Sequence, residues 1–189
     1  MEDETIIERS KFYDVVRDNT FFTKETASSE IIKNYSKFCG HVWDKMFVHD
    51  LIGDLRFDEN IHNCEDTLFD FEYIQKCDRI VLGPEIHYWY IQNNDSVTRR
   101  KYSEKYFTAL TAWEKILKKL KNPEDKKKLY EKISTDILDH EVKAWRTLDK
   151  KERKDYKNRF LKLMNHYHEF SSMKQSIKWH IMRVLWKCA

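Results

Sequence analysis

Glycine and proline are scarce in this chain, at three and two of 189 residues, where ordinary usage is about 7% and 5%. So few turn-formers exclude a fold made of many tight corners and predict long helices instead. Gly40, Gly53 and Gly83 stand far apart, so no glycine-rich phosphate loop can be built. An Asp-x-Asp pair is also missing. No apolar run approaches the roughly 18 residues needed to cross a bilayer, so the expected protein is soluble or lies on a surface. Cys39, Cys64, Cys77 and Cys188 have neither Cys-x-x-Cys nor zinc-ligand spacing. With no signal peptide, they are expected to be reduced thiols in a cytoplasmic protein. Internal repeats and low-complexity tracts are lacking too.

Hydrophobic residues make up 41% of the chain and aromatic ones 14%, enough for one substantial domain or a domain with an extension. The net charge of +3 hides an asymmetry. Residues 1–97 hold ten Lys and Arg against twenty Asp and Glu, and residues 98–189 hold twenty-five against twelve. The two parts thus carry about −10 and +13, which suggests two modules in different surroundings, the second suited to an anionic partner.

The hydrophobic pattern divides the chain in the same place. Residues 5–17 fit a helix face or a strand, and an irregular or strand-like course is the expectation. Ser28-Ser29-Glu30 predicts a helix start, with the helix reaching Phe38. A short helical turn is expected over 50–55 and a mostly buried helix over 65–76. Two short strands, 79–82 and 85–91, flank Gly83-Pro84. From Ser103 onward apolar residues recur at helical spacing. They predict one helix up to Leu120, another from Asn122-Pro123-Glu124 through Trp145, a third over 150–170 and a fourth over 172–188. The expected fold is α+β and helix-rich, with an antiparallel helical appendage whose outer faces are rich in Lys.

The adjacent carboxylates Glu65 and Asp66 carry the strongest functional signal, because of their surroundings. Upstream lie Val42-Trp43-Asp44-Lys45-Met46-Phe47 and Leu55-Arg56-Phe57-Asp58. Downstream come the apolar run from Thr67 to Tyr73, then Arg79-Ile80-Val81-Leu82, Tyr88-Trp89-Tyr90 and Asn94-Asp95-Ser96-Val97-Thr98. In this order and spacing, residues 20–100 resemble the acceptor-side half of inverting family-2 glycosyltransferases of the GT-A fold. The resemblance is to their bacterial polysaccharide branch. It implies a partial GT-A-like α/β domain over 1–100 and a C-terminal helical extension over 101–189. It further implies a nucleotide-sugar donor, a glycan or lipid-linked acceptor in cell-surface polysaccharide assembly, and Mg2+ or Mn2+ in the complete enzyme. The Asp-x-Asp that would hold the metal and the donor diphosphate is not in this chain. The expectation is therefore a half-enzyme (a truncated gene product, an excised domain or a divergent relative) that holds no cofactor by itself.

A carboxylate at a helix start is preorganised by backbone donors. That argument fits Glu65 and Asp66 equally; the resemblance makes Asp66 the general base and Glu65 its orienting partner. The plainer account of both is N-terminal helix capping. Lys45 follows Trp43 by two, so in a strand-like stretch both would point to one face. There Lys45 could meet a diphosphate and Trp43 wall the site, or the pair could be a buried aromatic beside a snorkelling Lys. Tyr88 and Tyr90 would share one strand face, either core or a stacking surface for a sugar ring. His87 without an Asp-x-Asp does not make a metal site, and adjacent helical positions keep His166 and His168 from chelating.

The last helix has two apolar stripes. Met173, Ile177, Ile181, Val184 and Cys188 form one; Trp179, Met182 and Trp186 form the other, with Lys174, Lys178, Arg183 and Lys187 between. The expectation is that the first stripe packs on the preceding helices while the tryptophans lie in a headgroup layer, giving peripheral membrane contact through 172–188. A helix sandwiched in protein is the alternative. The rival to the enzyme reading is a non-catalytic helical module that binds a protein partner or an anionic membrane surface. Nucleic acid is not expected, because lysines interspersed with acids usually just solvate a helix.

Overall fold

The computed structural model describes residues 18–33, 38, 40–85, 88 and 101–188. It is helix-rich with one small sheet, an α+β arrangement. The sheet is a two-stranded antiparallel ribbon of β1 (Thr20–Phe22) and β2 (Ile80–Leu82), with Phe21 opposite Val81. Residues 5–17 and most of the expected strand over 85–91 lie outside the described residues.

Three helices follow β1 in the first part: α1 (Lys24–Ile31), α2 (His49–Ile52) and α3 (Glu65–Ile74). The expected start at Ser28 is corrected, because Thr23 caps α1 five residues earlier. The Thr23 side chain accepts from the Thr26 N–H while the Thr26 hydroxyl accepts from the Thr23 N–H. This reciprocal pair satisfies two end donors and fixes the helix start. Ser28 and Ser29 fall inside α1 and make tertiary bonds instead. Ser28 Oγ accepts from Gln75 Nε2 at 2.8 Å, and Ser29 Oγ donates to Asp125 at 2.7 Å. Trp43 is also not in a strand. Val42–Asp44 forms a 3-10 turn, and extended backbone resumes only at Lys45, so strand alternation does not relate the two side chains.

The second part contains α4 (Thr108–Lys119), α5 (Pro123–Thr147), α6 (Lys150–Tyr167) and α7 (Met173–Cys188), close to the expected spans. Asn122 accepts from the Glu124 N–H with Pro123 at the first helical position, and Asp149 with Glu152 closes a capping box on α6. One continuous core links both parts, from Ala27, Phe71 and Ile74 through Trp113 and Ile137 to Phe160 and Trp186.

The last helix is turned the other way from the expectation. Trp179, Met182 and Trp186 are buried, with the Trp186 ring 4.7 Å from Phe160 and 5.5 Å from Trp145. Two indoles and a thioether remove more apolar area from water than isoleucine and valine side chains, so that stripe takes the core side.

Candidate functional site

The start of α3 is held from both sides. Cys64 precedes it in the left-handed region at φ 64°, which turns the chain sharply into the helix. Thr67 is buried and its hydroxyl donates to the Gly40 carbonyl at 3.4 Å. A side chain on Gly40 would meet Thr67 Oγ1 at 2.0 Å, so only glycine permits this approach. Glu65 and Asp66 occupy the first turn of α3, where free N–H groups and the macrodipole favour negative charge.

Adjacent positions on a helix lie about 100° apart, so these two carboxylates serve different faces. Glu65 lines a groove of about 210 Å³ with Arg56, Phe57, Asp58, Phe69 and Glu72. Phe57 stacks on Phe69 with ring centroids 4.4 Å apart and stays partly exposed. Lys115 closes one wall through an ion pair with Asp58, and Lys119 pairs with Glu72 beside it.

Asp66 shares its face with Asp70, one turn later, and with Tyr73. That face meets the segment from Gly40 to Val48. Lys45 Nζ lies 3.2 Å from Asp70 Oδ2 and 2.6 Å from Asp44 Oδ1. Tyr73 OH accepts from the Val48 N–H at 2.7 Å, and Phe47 packs edge-on to Tyr73. Burial pushes the Asp70 carboxyl up to about 7; Lys45 opposes the rise, while Asp44 and Asp66 add to it. Burial, aided by Asp136, raises the neighbouring Cys64 thiol to about 12, with Lys132 opposing, so this cysteine is no nucleophile at neutral pH.

Trp43 stands at the edge of this face between two rings. Its centroid is 4.6 Å from Tyr88 and 5.3 Å from His41, both stacked. Trp43 and Tyr88 are 36% and 46% exposed, so this triple stack is not core. Of the residues expected at the site, Glu65, Asp66, Trp43, Lys45 and Tyr88 are described and fall around the first half of α3; Tyr90 and His87 lie outside the described residues.

Divalent metal does not fit the described residues. Glu65 and Asp66 diverge, Asp70 faces a lysine, and no three His, Cys, Asp or Glu side chains converge among the described residues. Asp70, Tyr73 and Gly40 were not anticipated as parts of the site. The signal for Asp70 was present, since an acid inside Thr-Leu-Phe-Asp-Phe stands four residues after Asp66 in an otherwise apolar run.

No family model, no curated protein and no solved structure matches the chain.

Proposed function

We propose that this chain supplies the acceptor-side carboxylate centre of an inverting, GT-A-type sugar transfer in cell-surface polysaccharide assembly. What carries the reading is one arrangement: Asp66 at the start of α3, on the same face as the Asp70–Lys45 pair, with the exposed stack of Trp43 and Tyr88 nearby. An acceptor hydroxyl attacking an anomeric carbon must lose its proton, and Asp66 is the base for that proton. Lys45 fixes positive charge beside the site, held by Asp44 and Asp70 rather than free to swing. Tyr88, 46% exposed and backed by the Trp43 ring, offers an aromatic surface for the apolar face of a sugar ring. Glu65, in the adjoining groove, orients the acceptor.

In a complete enzyme the nucleotide-sugar donor and Mg2+ or Mn2+ would be held mainly by residues outside this chain, which has no Asp-x-Asp. The chain alone is expected to turn over no sugar nucleotide. The test has two arms. Acceptor-type oligosaccharides are titrated against the chain by saturation-transfer NMR, where Trp43→Ala with Tyr88→Ala should abolish the signal. In a complete enzyme containing this half, Asp66→Asn should keep the fold and lose on the order of 100-fold in turnover or more. Full turnover in a folded Asp66→Asn enzyme moves the base elsewhere, with Glu65 next.

The second reading, a non-catalytic helical module, draws on the open face of α7. The cytoplasmic side of a membrane is the location either reading favours, and no helix among the described residues is long and apolar enough to cross a bilayer.

A further inference from the structure

With its tryptophans committed to the core, α7 leaves its other face open. Ile177, Ile181 and Val184 are 67%, 55% and 59% exposed. Their i, i+4, i+7 spacing makes them one continuous stripe along the helix. At 100° per residue, Lys178 flanks this stripe on one side, and Arg183 and Lys187 flank it on the other. All three are exposed. The helix contains no carboxylate, and residues 150–188 hold eleven Lys and Arg against three Asp and Glu. Arg183 donates to Asn165 Oδ1 at 2.8 Å, an uncharged partner that leaves the guanidinium charge uncompensated there. Burial of Trp179, Met182 and Trp186 against the preceding helices ties α7 lengthwise to the protein, so its open face is presented as a rigid edge.

We propose that this face of α7 binds an anionic lipid bilayer. The helix lies in the membrane plane, with Ile177, Ile181 and Val184 entering the boundary between headgroups and acyl chains. Lys178, Arg183 and Lys187 meet lipid phosphates and carboxylates on either side. Charge complementarity selects this occupant. A narrow aliphatic stripe bordered by cations on both flanks, with Asp139 of α5 set against Lys178 and no carboxylate on α7 itself, matches a fluid anionic surface. A second copy would bring the same cations against these, which is repulsive across a two-fold contact. The proposal is independent of the reading of the carboxylates at α3.

The experiment is co-sedimentation of the full chain with vesicles of phosphatidylcholine alone and of phosphatidylcholine with 30% phosphatidylserine. The expected result is binding to the anionic vesicles only, falling steeply between low and high salt. Each exposed cation near the surface accounts for roughly fivefold in affinity. Lys178→Glu with Arg183→Glu and Lys187→Glu should abolish binding, and Ile177→Asn with Ile181→Asn should weaken it about tenfold or more even at low salt. These positions are exposed, and tryptophan fluorescence with thermal unfolding checks that each variant folds; Ile177→Ala with Ile181→Ala replaces the asparagine pair if that one does not. Absence of binding to the anionic vesicles overturns the proposal, as does equal binding to neutral ones or unchanged binding in the folded variants. Concentration-dependent dimerisation, lost in the isoleucine variants and without vesicle binding, overturns it in favour of a self-association face.

Discussion

Lys45 Nζ sits 3.2 Å from Asp70 Oδ2, and this buried carboxylate has no hydrogen-bond donor of good geometry among the described residues. The pair joins the loop bearing Trp43 to the helix bearing Asp66, so the spacing of the candidate site depends on it. Removing the cation strands the acid. Lys45→Met should cost about 3 kcal/mol at pH 8, since an uncompensated buried charge must be left or neutralised. Below about pH 5 the cost should largely vanish, because Asp70 is then protonated in both proteins. Urea denaturation at the two pH values measures this, and an equal loss at both would mean that Lys45 acts through packing alone.

The same carboxyl gives the wild-type protein a pH dependence of stated sign. Its folded-state value is raised from 3.8 to about 7. The stability linked to its proton is therefore fully present below about pH 4 and lost as pH rises through about 7, up to roughly 4 kcal/mol in all. Asp70→Asn removes this contribution. Its stability should fall less steeply than that of the wild type between pH 4 and 7, and it should be the more stable protein at pH 8, read by denaturation series across that range.

The helical appendage was legible in the sequence and much of the first part was not, for physical reasons. Residues 103–188 obey one strong period with caps at Asn122 and Asp149, so local signals and tertiary packing agree. Near Ser28 two cap signals compete, and Thr23 with Thr26 wins because both members of the pair bond reciprocally. Periodicity identified both stripes of α7 but could not say which faces protein. That choice depends on partners such as Phe160 and Trp145, distant in sequence. Glu65 and Asp66 were visible as a pair, while their divergence onto a groove and onto the Asp70 face depends on where α3 docks.

The burial of the tryptophans makes its own prediction. Trp186 is fully buried between Phe160 and Trp145, so Trp186→Ala should lower stability by about 3–5 kcal/mol through lost transfer energy and a residual cavity. Chain truncation before Met173 should likewise expose the faces of α5 and α6 and lower solubility. Thermal unfolding of the variant checks this; a change within about 0.5 kcal/mol, as for a surface site, would return Trp186 to the exterior.

Gly40 tests the link between loop and helix. An alanine there would press its Cβ against Thr67 Oγ1 at 2.0 Å, so Thr67 must swing away and give up the Gly40 carbonyl. Gly40→Ala should destabilise by about 1–3 kcal/mol. Adding Thr67→Ala should recover part of the loss by clearing the hydroxyl, a non-additive pair in a double-mutant cycle. Additive losses would show that the two residues are not in contact.

Glu141 stands apart from any site and gives the sharpest stability test. It is fully buried on α5, neither carboxylate oxygen has a hydrogen-bond partner among the described residues, and burial raises its carboxyl to about 9. A carboxyl raised in the fold stays protonated at neutral pH and costs stability relative to an unfolded chain that ionises near 4.5. The stability linked to it is present below about pH 4.5 and lost as pH climbs through about 9. Replacing a lone buried acid by an apolar side chain of similar volume removes both the lost hydration and this slope. Glu141→Met should therefore be more stable than the wild type by about 1–4 kcal/mol at pH 8, with the gain shrinking towards pH 5. Parallel urea titrations at pH 5, 6.5 and 8 follow the difference. A variant less stable than the wild type at pH 8 would mean that Glu141 has a polar partner, and that its burial is compensated.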